Sequence, residues 1–421
     1  MDRVLIRHLR IEHVRHLKNI DIPLAASNDD APRHLMLTGK NGSGKTSVLD
    51  AVAGYIDSVC HNQCPSKLQR EIDGCEERLE HYRRNPEANK ERIRQDESTL
   101  QSFRARLQGA RHGVDLEFNT DDTDVRAQYE EGSCLFAYFR AKRQFDAAIP
   151  RQIEKVTFAD RYGIDDSPRD LFVKYLLDLK MTQALAATGG RQEKAREIQR
   201  WFDRVRDILR NIYEDPTLTL EFDEETYEFS IREQGRDPYN FNEASDGFSA
   251  ILDVVVGLML RMVKRNGRSP DFTMPGIALV DEIENHLHLS LQKRVLPILI
   301  DLFPNVQFIV STHSPFVLSS LSEAVVYDLE NRTRAANGLS GNTYESIVEG
   351  YFGVDSLSDE LRQKFDRYRE LAAHNSLSDA EFLEARGLER YLDEIPDYLD
   401  LGITTEYLRS KLELNAKVVD E

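Results

Sequence analysis

Cysteine is scarce in this sequence: Cys60, Cys64, Cys75 and Cys134 are the only four in 421 residues, irregularly spaced and without a C-x-x-C pair. That pattern disfavours a disulfide framework and a zinc or redox cluster, and reduced, partly buried thiols are expected. Long apolar runs are also missing. Arg3, Arg7, Arg10, His13 and Arg15 interrupt the stretch from Val4 to Leu17. With no apolar segment of spanning length elsewhere, neither a secretory leader nor a membrane span is expected, and the chain reads as cytoplasmic. Positive charge is in deficit, 55 Lys and Arg against 73 Asp and Glu, for a formal net charge of −18. Such a chain does not grip nucleic acid over most of its surface, although a local basic groove is compatible with it. What is present, 40% hydrophobic and 30% charged residues, supplies core for two or three domains.

The strongest local signal runs from Leu35 to Asp50. A short apolar run, Leu35 to Thr38, leads into Gly39-Lys40-Asn41-Gly42-Ser43-Gly44-Lys45-Thr46 and then into a helix-like segment from Ser47. This matches the full G-x-x-x-x-G-K-[ST] pattern in the strand, loop and helix setting that a phosphate-binding loop requires. The glycines let backbone N–H groups turn inward on a phosphate, and the helix adds its positive end. Lys45 is expected to reach the β- and γ-phosphates and Thr46 to place its hydroxyl on Mg²⁺. A glycine-rich turn without chemistry is the plain alternative, and the flanking strand and helix weigh against it.

Two further apolar runs end in chemically useful residues. Gly276 to Val280 is a buried strand closing on Asp281 and Glu282; beside a phosphate loop the first suits a metal ion and the second an attacking water. Val306 to Val310 is another, leading to His313, whose imidazole could donate to a γ-phosphate. Ser245-Asp246-Gly247 opens onto a long apolar helix, and is either a second anion site or only a cap formed by Ser245 or Ser249. His286 and His288 read better as a polar loop than as metal ligands, because further ligands are not apparent. Arg140 to Phe145 follows the apolar run Leu135 to Phe139 and is either a phosphate- or metal-sensing segment or a solvated strand end.

The remaining organisation follows from periodicity. Alternation over residues 4–24 suggests an antiparallel strand pair, with Ala26 to Pro32 a loop. Leu68, Ile72, Cys75, Leu79 and Tyr82 step by four and three, and after Asn85-Pro86 a weaker seam resumes through Ile93, Leu100, Phe103 and Leu107. Two antiparallel helices are expected, either packed on the body or projecting about 27 Å as an arm. Strand-like runs are expected between His112 and Ala141, helices over Pro168 to Thr188 and Gln192 to Tyr213, a hairpin over residues 218–231, and one helix over Ser290 to Leu302. Val325 to Leu329 is one more strand. Beyond Thr343 the chain is acidic and helical, with candidates at Leu361 to Ala373, Asp379 to Leu392 and Thr405 to Leu414.

Taken in order, GKNGSGKTS, a helical insertion, ASDGFSAIL, IALVDEIENHLH and FIVSTHSPFVL resemble the ABC-type ATPases of the SMC, RecF and OLD-like group. The resemblance covers the chain discontinuously to about Leu329. It implies an α/β fold, a P-loop NTPase head of ABC type with a mixed sheet and antiparallel N-terminal strands, carrying a short helical-hairpin insertion and an α-helical C-terminal region. It implies ATP and Mg²⁺ as cofactors. The nucleotide would be held by Gly39, Asn41, Gly42, Ser43, Gly44, Lys45, Thr46 and Ser47, with Arg15 nearby. Asp281 would be the Walker B metal residue beside Thr46, with Gln144 as the Q-loop glutamine; Glu282 would be the catalytic carboxylate and His313 the switch histidine. Ser245 and Gly247 would be the signature, contacting ATP held on a second subunit. Ala244 and Phe248 depart from the usual form of that motif, which bears on the strength of the engagement.

The insertion is too short for an SMC arm and its tip lacks a zinc-hook C-x-x-C. What is left is similar to the stand-alone ATPases of bacterial anti-phage systems, the PtuA group of Septu first and the AriA group of PARIS second. The segment Tyr344 to Gly353 carries part of that likeness. The implied organisation is an N-terminal lobe at 1–59, a helical hairpin at 60–112, the head continued over 113–345 with a helical insertion at about 165–215, and an acidic helical region at 346–421. The implied function is an ATP-hydrolysing switch that forms a homodimer or higher homo-oligomer around ATP and controls a separate effector protein, expected to be a nuclease. The alternatives are an SMC- or RecF-like repair ATPase that binds DNA directly, and an assembly protein that hydrolyses nucleotide negligibly.

Overall fold

The computed structural model describes residues 3–25, 33–148, 154–263, 270–336, 338–341, 346–347, 359–374, 378–393 and 407–412. The chain divides into two compact units, 1–347 and 348–421. The expected loop at Ala26 to Pro32, most of Tyr344 to Gly353 and the ends of the last expected helix lie outside the described residues.

The first unit is built on two sheets. Strands β1 (Ile6–Val14) and β2 (Leu17–Pro23) alternate buried and exposed residues, as a sheet with one wet face must. They pair antiparallel, and β4 (Val114–Phe118) joins the far edge of β1. The central sheet is different in kind. Strands β3 (His34–Thr38), β5 (Leu135–Phe139), β8 (Gly276–Val280), β9 (Val306–Ser311) and β10 (Ala324–Asp328) are buried at every position. That continuous burial is the signature of a parallel sheet covered on both faces. Among the described residues the order is β11-β10-β3-β9-β8-β5, with only β11 (Thr333–Ala335) antiparallel. The parallel strands bring the ends of β3, β8 and β9 to one edge, where open α/β sheets place their ligands.

A buried amide joins the two sheets. Gln307 on β9 is 1% exposed. Its Oε1 accepts from the Ile6 N–H at 2.8 Å, and its Nε2 donates to the carbonyls of Ile6 (2.9 Å) and Arg33 (2.7 Å). Three main-chain groups are bonded by this one side chain.

Helix α1 (Lys45–Cys60) follows the phosphate loop, and α2 (Pro65–Arg83) and α3 (Lys90–Arg111) form the hairpin. Leu68, Ile72, Cys75 and Leu79 of α2 and Leu100, Leu107 and Ala110 of α3 make a core of their own. At the base α3 packs on α1, and α2 on α4 (Asp122–Glu130). Helix α4 lies where only strand-like runs are expected; Asp121 caps it by accepting from the Thr123 N–H at 2.9 Å. His112 closes α3 in the left-handed region (φ 53°). Its Nε2 lies 3.2 Å from the Ser58 hydroxyl of α1, and its ring fills the space a Cβ at Gly54 would take, 2.8 Å away.

Helices α5 (Phe172–Thr188) and α6 (Gln192–Tyr213) pair with each other. On α6 the buried residues Ile198, Trp201, Phe202, Val205, Ile208, Leu209 and Ile212 form one apolar stripe, and Trp201 packs edge-on against Tyr175 of α5. The hairpin β6 (Thr219–Phe222) and β7 (Phe229–Arg232) follows, then α7 (Asp246–Arg261), which approaches β5 where a Cβ at Gly257 would meet the Phe139 ring at 2.7 Å. The single helix expected from Ser290 to Leu302 is in fact two, α8 (Leu289–Gln292) and α9 (Val295–Leu302). Pro297 accounts for the break: its nitrogen cannot donate to the Lys293 carbonyl and its ring collides with it. A short helix α10 (Pro315–Leu318) follows β9.

The second unit holds helices Asp359–Ala373 and Asp379–Asp393 and the helical residues 407–412. Phe365, Tyr368, Leu371, Ala385, Leu392 and Tyr407 form its core, and the Tyr407 hydroxyl donates to Asp393 at 2.6 Å.

Gln307→Leu keeps the volume of the joint and removes its hydrogen bonds, so it should destabilise the first unit by about 3 kcal/mol or more. The measurement is the urea midpoint at unchanged m-value, and a shift within about 0.5 kcal/mol of wild type would show that Gln307 does not join the sheets.

Candidate nucleotide site

The loop from Gly39 to Thr46 connects β3 to α1. Gly39 (φ 133°) and Gly44 (φ 98°) adopt backbone conformations that side chains disfavour, and Cβ atoms there would lie 2.8 Å from the Ser43 hydroxyl and 2.9 Å from Leu17. Gly44 is also the N-cap of α1 and offers no side-chain cap, which leaves the first turn of that helix to another acceptor. Lys45 is buried and folds back, its Nζ donating to the carbonyls of Gly39 (2.9 Å) and Lys40 (3.1 Å). Burial lowers the Lys45 pKa, and Glu284, Glu282, Asp281 and Asp328 act against that shift.

Asp281, just past β8, is 2% exposed. Oδ2 accepts from the Thr46 hydroxyl at 2.9 Å and Oδ1 from the Ser311 hydroxyl at 2.5 Å. One carboxylate therefore binds the phosphate-loop helix and the neighbouring strand β9 at once.

Glu282 follows with φ 47°, a conformation costing about 1–3 kcal/mol for such a residue. It is held there from two sides. The Ser311 hydroxyl accepts the Glu282 N–H at 2.7 Å, and the buried Arg143 donates to the carbonyls of Asp281 and Glu282, the latter at 2.8 Å. Burial depresses the pKa of Arg143, with Asp253 and Asp281 opposing. His313 is half-buried beyond β9; burial lowers its pKa, and the Lys45 charge adds to that while Asp281 opposes it. The neutral imidazole is thereby favoured.

The other expected site residues are placed as follows. Asn41 and Gly42 are exposed at the top of the loop, Ser43 is buried and Ser47 half-buried. Arg15 is exposed in the β1–β2 turn (φ 53°), and the residues after it, His16 and Leu17, pack against Gly44. Ser245 is the exposed N-cap of α7 and makes no side-chain cap bond, while Ser249 is committed to accepting the Phe145 N–H at 2.7 Å. Gly247 passes the carbonyl of His286, which a Cβ would approach to 2.6 Å. The departure at Phe248 has a packing role: its ring stacks on Tyr213 of α6, 3.9 Å between centroids and 12° from parallel. Gln144 is exposed after β5, and it is the adjacent Arg143 whose side chain turns in to the carbonyls of Asp281 and Glu282. His288 caps α8, and His286 is exposed.

Sequence reasoning missed Arg143 and Glu284. Glu284 Oε1 accepts the His313 N–H at 2.5 Å, and burial pushes its pKa up. The Glu in Asp281-Glu282-Ile283-Glu284 was visible as an acidic position, but nothing local showed which strand it would meet.

The residues fit a nucleoside triphosphate with a divalent cation. Ser43 Oγ is a buried polar atom without a partner among the described residues. The uncapped α1 terminus and the Lys45 ammonium supply positive potential for phosphates, and the Thr46 and Asp281 oxygens are hard donors suited to Mg²⁺. Arg143→Met should lower triphosphate turnover at least about tenfold, because it frees Glu282 from its pinned conformation, while nucleotide affinity stays within about threefold. Phosphate release and a fluorescent-nucleotide titration measure the two; equal losses in both would assign Arg143 to binding.

A family model described as "AAA domain, putative AbiEii toxin, Type IV TA system" matches residues 75–319, more than half of the chain. Among curated proteins the chain is 23% identical over 410 residues to Septu protein PtuA of Bacillus mycoides (strain KBAB4), a match covering 95% of this chain and 51% of that protein. It is 33% identical over 132 residues to the retron Ec83 probable ATPase of Escherichia coli, covering 31% and 23% of the two chains. The chain thus spans about half the length of the first relative and less of the second. Among solved structures, an SMC head bound to the C-winged helix domain of ScpA is 13% identical, covering 80% of this chain and 98% of that one at a TM-score of 0.36. The extent of the family match decides the assignment: this chain belongs to the AAA domain family so described.

Proposed function

We propose that this chain is an ATP-hydrolysing switch of a bacterial anti-phage defence complex, in which two heads close around ATP and control a separate effector, a nuclease. The observation that carries the enzymatic part is the Thr46–Asp281 hydrogen bond with Glu282 held one residue further on. Lys45, Ser43 and the α1 amides hold the phosphates in this reading, with Asn41, Gly42 and Ser47 at the rim and Arg15 beside the loop. Thr46 and Asp281 would hold Mg²⁺, and Gln144 lies exposed on the segment after β5. A cation there neutralises phosphate charge. Glu282 accepts a proton from the attacking water, and His313, neutral by its surroundings, donates to the γ-phosphate oxygens.

The dimer is supported by the placement of Ser245 and Gly247. The start of α7, exposed at Ser245 and Asp246 and without a side-chain cap, would offer its amides to an anion, and in this reading that anion is the γ-phosphate of ATP held by a second copy. The defence role is supported by the likeness to Septu protein PtuA and the retron ATPase. Among the described residues no helix is long and apolar enough to cross a membrane.

Glu282→Gln should bind ATP as wild type does, hydrolyse it at least about a hundredfold more slowly and elute as a dimer in ATP by light scattering. Adding Ser245→Arg should return that variant to the size seen without nucleotide. Wild-type turnover by Glu282→Gln would remove the role given to Glu282, and a size indifferent to both changes would remove the dimer.

A second reading, a head that binds duplex DNA directly, is favoured by one observation: Arg83, Arg84, Lys90, Arg92 and Arg94 are all exposed around the hairpin turn. It requires duplex affinity that depends on ATP and falls steeply with salt. Filter binding at low salt with the Arg84→Glu/Arg92→Glu pair as control decides it, and equal retention by wild type and the pair removes it.

A further inference from the structure

The loop after β8 runs back beneath the end of β9, and two successive hydrogen bonds tie it there. The Ile283 N–H donates to the Ser311 carbonyl at 3.1 Å, and the His313 N–H donates to Glu284 Oε1 at 2.5 Å. The amides on either side of His313 have partners from main chain or from the segment itself: Thr312 N–H donates to the Leu37 carbonyl at 3.0 Å and Ser314 N–H to the Thr312 hydroxyl at 3.0 Å. His313 alone of these three takes its acceptor from a side chain on another segment. Ser314 is itself fixed, its hydroxyl donating to Gln292 at 2.7 Å and capping α10. The turn that carries the imidazole is therefore braced on both flanks, with a carboxylate at its centre.

That carboxylate is an expensive choice for a brace. A buried carboxyl group costs desolvation that a main-chain or hydroxyl acceptor would not. Glu284 is also the carboxylate that acts most strongly on the Lys45 ammonium, ahead of Glu282 and Asp281. A group needed only to fill space at this point would not present an acceptor to the His313 amide.

We propose that Glu284 is a positioning residue of the nucleotide site, which through Oε1 fixes the His313 amide and so sets the imidazole against the phosphates that Lys45 binds. This rests on the reading of the site as an ATPase. Glu284 touches neither nucleotide nor the attacking water in this scheme; it acts through His313. Its effect belongs to the step in which charge moves on the γ-phosphate, so it alters kcat more than KM.

Two variants separate the brace from the charge. Glu284→Gln keeps a carbonyl oxygen for the His313 N–H, and Glu284→Met keeps the length and loses the acceptor; Glu284→Ala replaces the latter if the methionine variant does not fold. Amide exchange of residues 312–316 is followed by mass spectrometry on the full chain without nucleotide, and ATP turnover is measured in parallel. In Glu284→Met, exchange should accelerate at least about tenfold and kcat fall at least about tenfold, with KM for ATP within about threefold of wild type. Glu284→Gln should stay within about threefold of wild type in all three. Unchanged exchange in Glu284→Met overturns the proposal. So does a Glu284→Gln protein that keeps its protection yet loses turnover, since the brace would then be intact and insufficient. Absence of turnover in the wild-type chain would instead remove the ATPase reading, and the exchange measurement would still decide whether Glu284 holds His313.

Discussion

The head depends on one carboxylate. Asp281 is almost wholly buried, and a charge in that position is tolerable only if its oxygens are bonded. Both are, by hydroxyls from different elements: Thr46 at the start of α1 and Ser311 at the end of β9. This is possible because β3, β9 and β8 are consecutive in the sheet and parallel, so that their ends emerge at one edge. Strand order and site chemistry are thus the same fact seen at two scales. In the reading proposed above, the Thr46 hydroxyl that donates to Asp281 is also the one whose lone pairs a cation would take.

Strain is stored one residue further on. Glu282 sits in the left-handed region, and the cost of that conformation is met by contacts that lie outside its own strand. Ser311 takes its N–H, which makes the same hydroxyl a bridge between Asp281 and Glu282. Arg143 takes its carbonyl from the opposite side, having been carried there by the segment after β5. A guanidinium that is itself buried and has its pKa depressed is a demanding element to place, and its planar fork explains why Arg rather than Lys stands there: it spans two successive carbonyls.

What could be read from the sequence was whatever the local pattern encodes. The phosphate loop, the buried strands leading to Asp281 and His313, and the four-and-three seam of α2 all appear where periodicity and turn chemistry put them. Pro297 carried its own warning of the break between α8 and α9, and a rule about the carbonyl four residues earlier would have found it. Helix α4 was hidden because nine residues with four acidic or amide groups among them show little apolar stripe; an Asp cap and contacts with α1 and α2 hold it. Gln307 and Glu284 were not legible at all, and of the segment Arg140 to Phe145 the sequence did not show that Arg143 is the residue that turns in. Each bonds to groups far away in sequence, Gln307 to a main chain some 301 positions off, and no local pattern distinguishes such a residue from a solvated one.

The same limit applies to the way the site is joined to the rest of the head. Helix α1 begins with Lys45 and Thr46 in the site and, further along, packs without a gap against His112 at the foot of the hairpin, because nothing larger than hydrogen stands at Gly54. Helix α7 begins at Ser245 and Gly247, is braced near its start by the Phe248–Tyr213 stack and at Gly257 meets β5. In close-packed interiors such contacts do not yield by fractions of an ångström without cost, so each helix transmits displacement as a rod rather than absorbing it. The phosphate loop and the hairpin base therefore share one rigid element. The turn at Ser245 and Gly247 and the strand that precedes Arg143 share another, and Asp281 and Glu282 are where the two are tied.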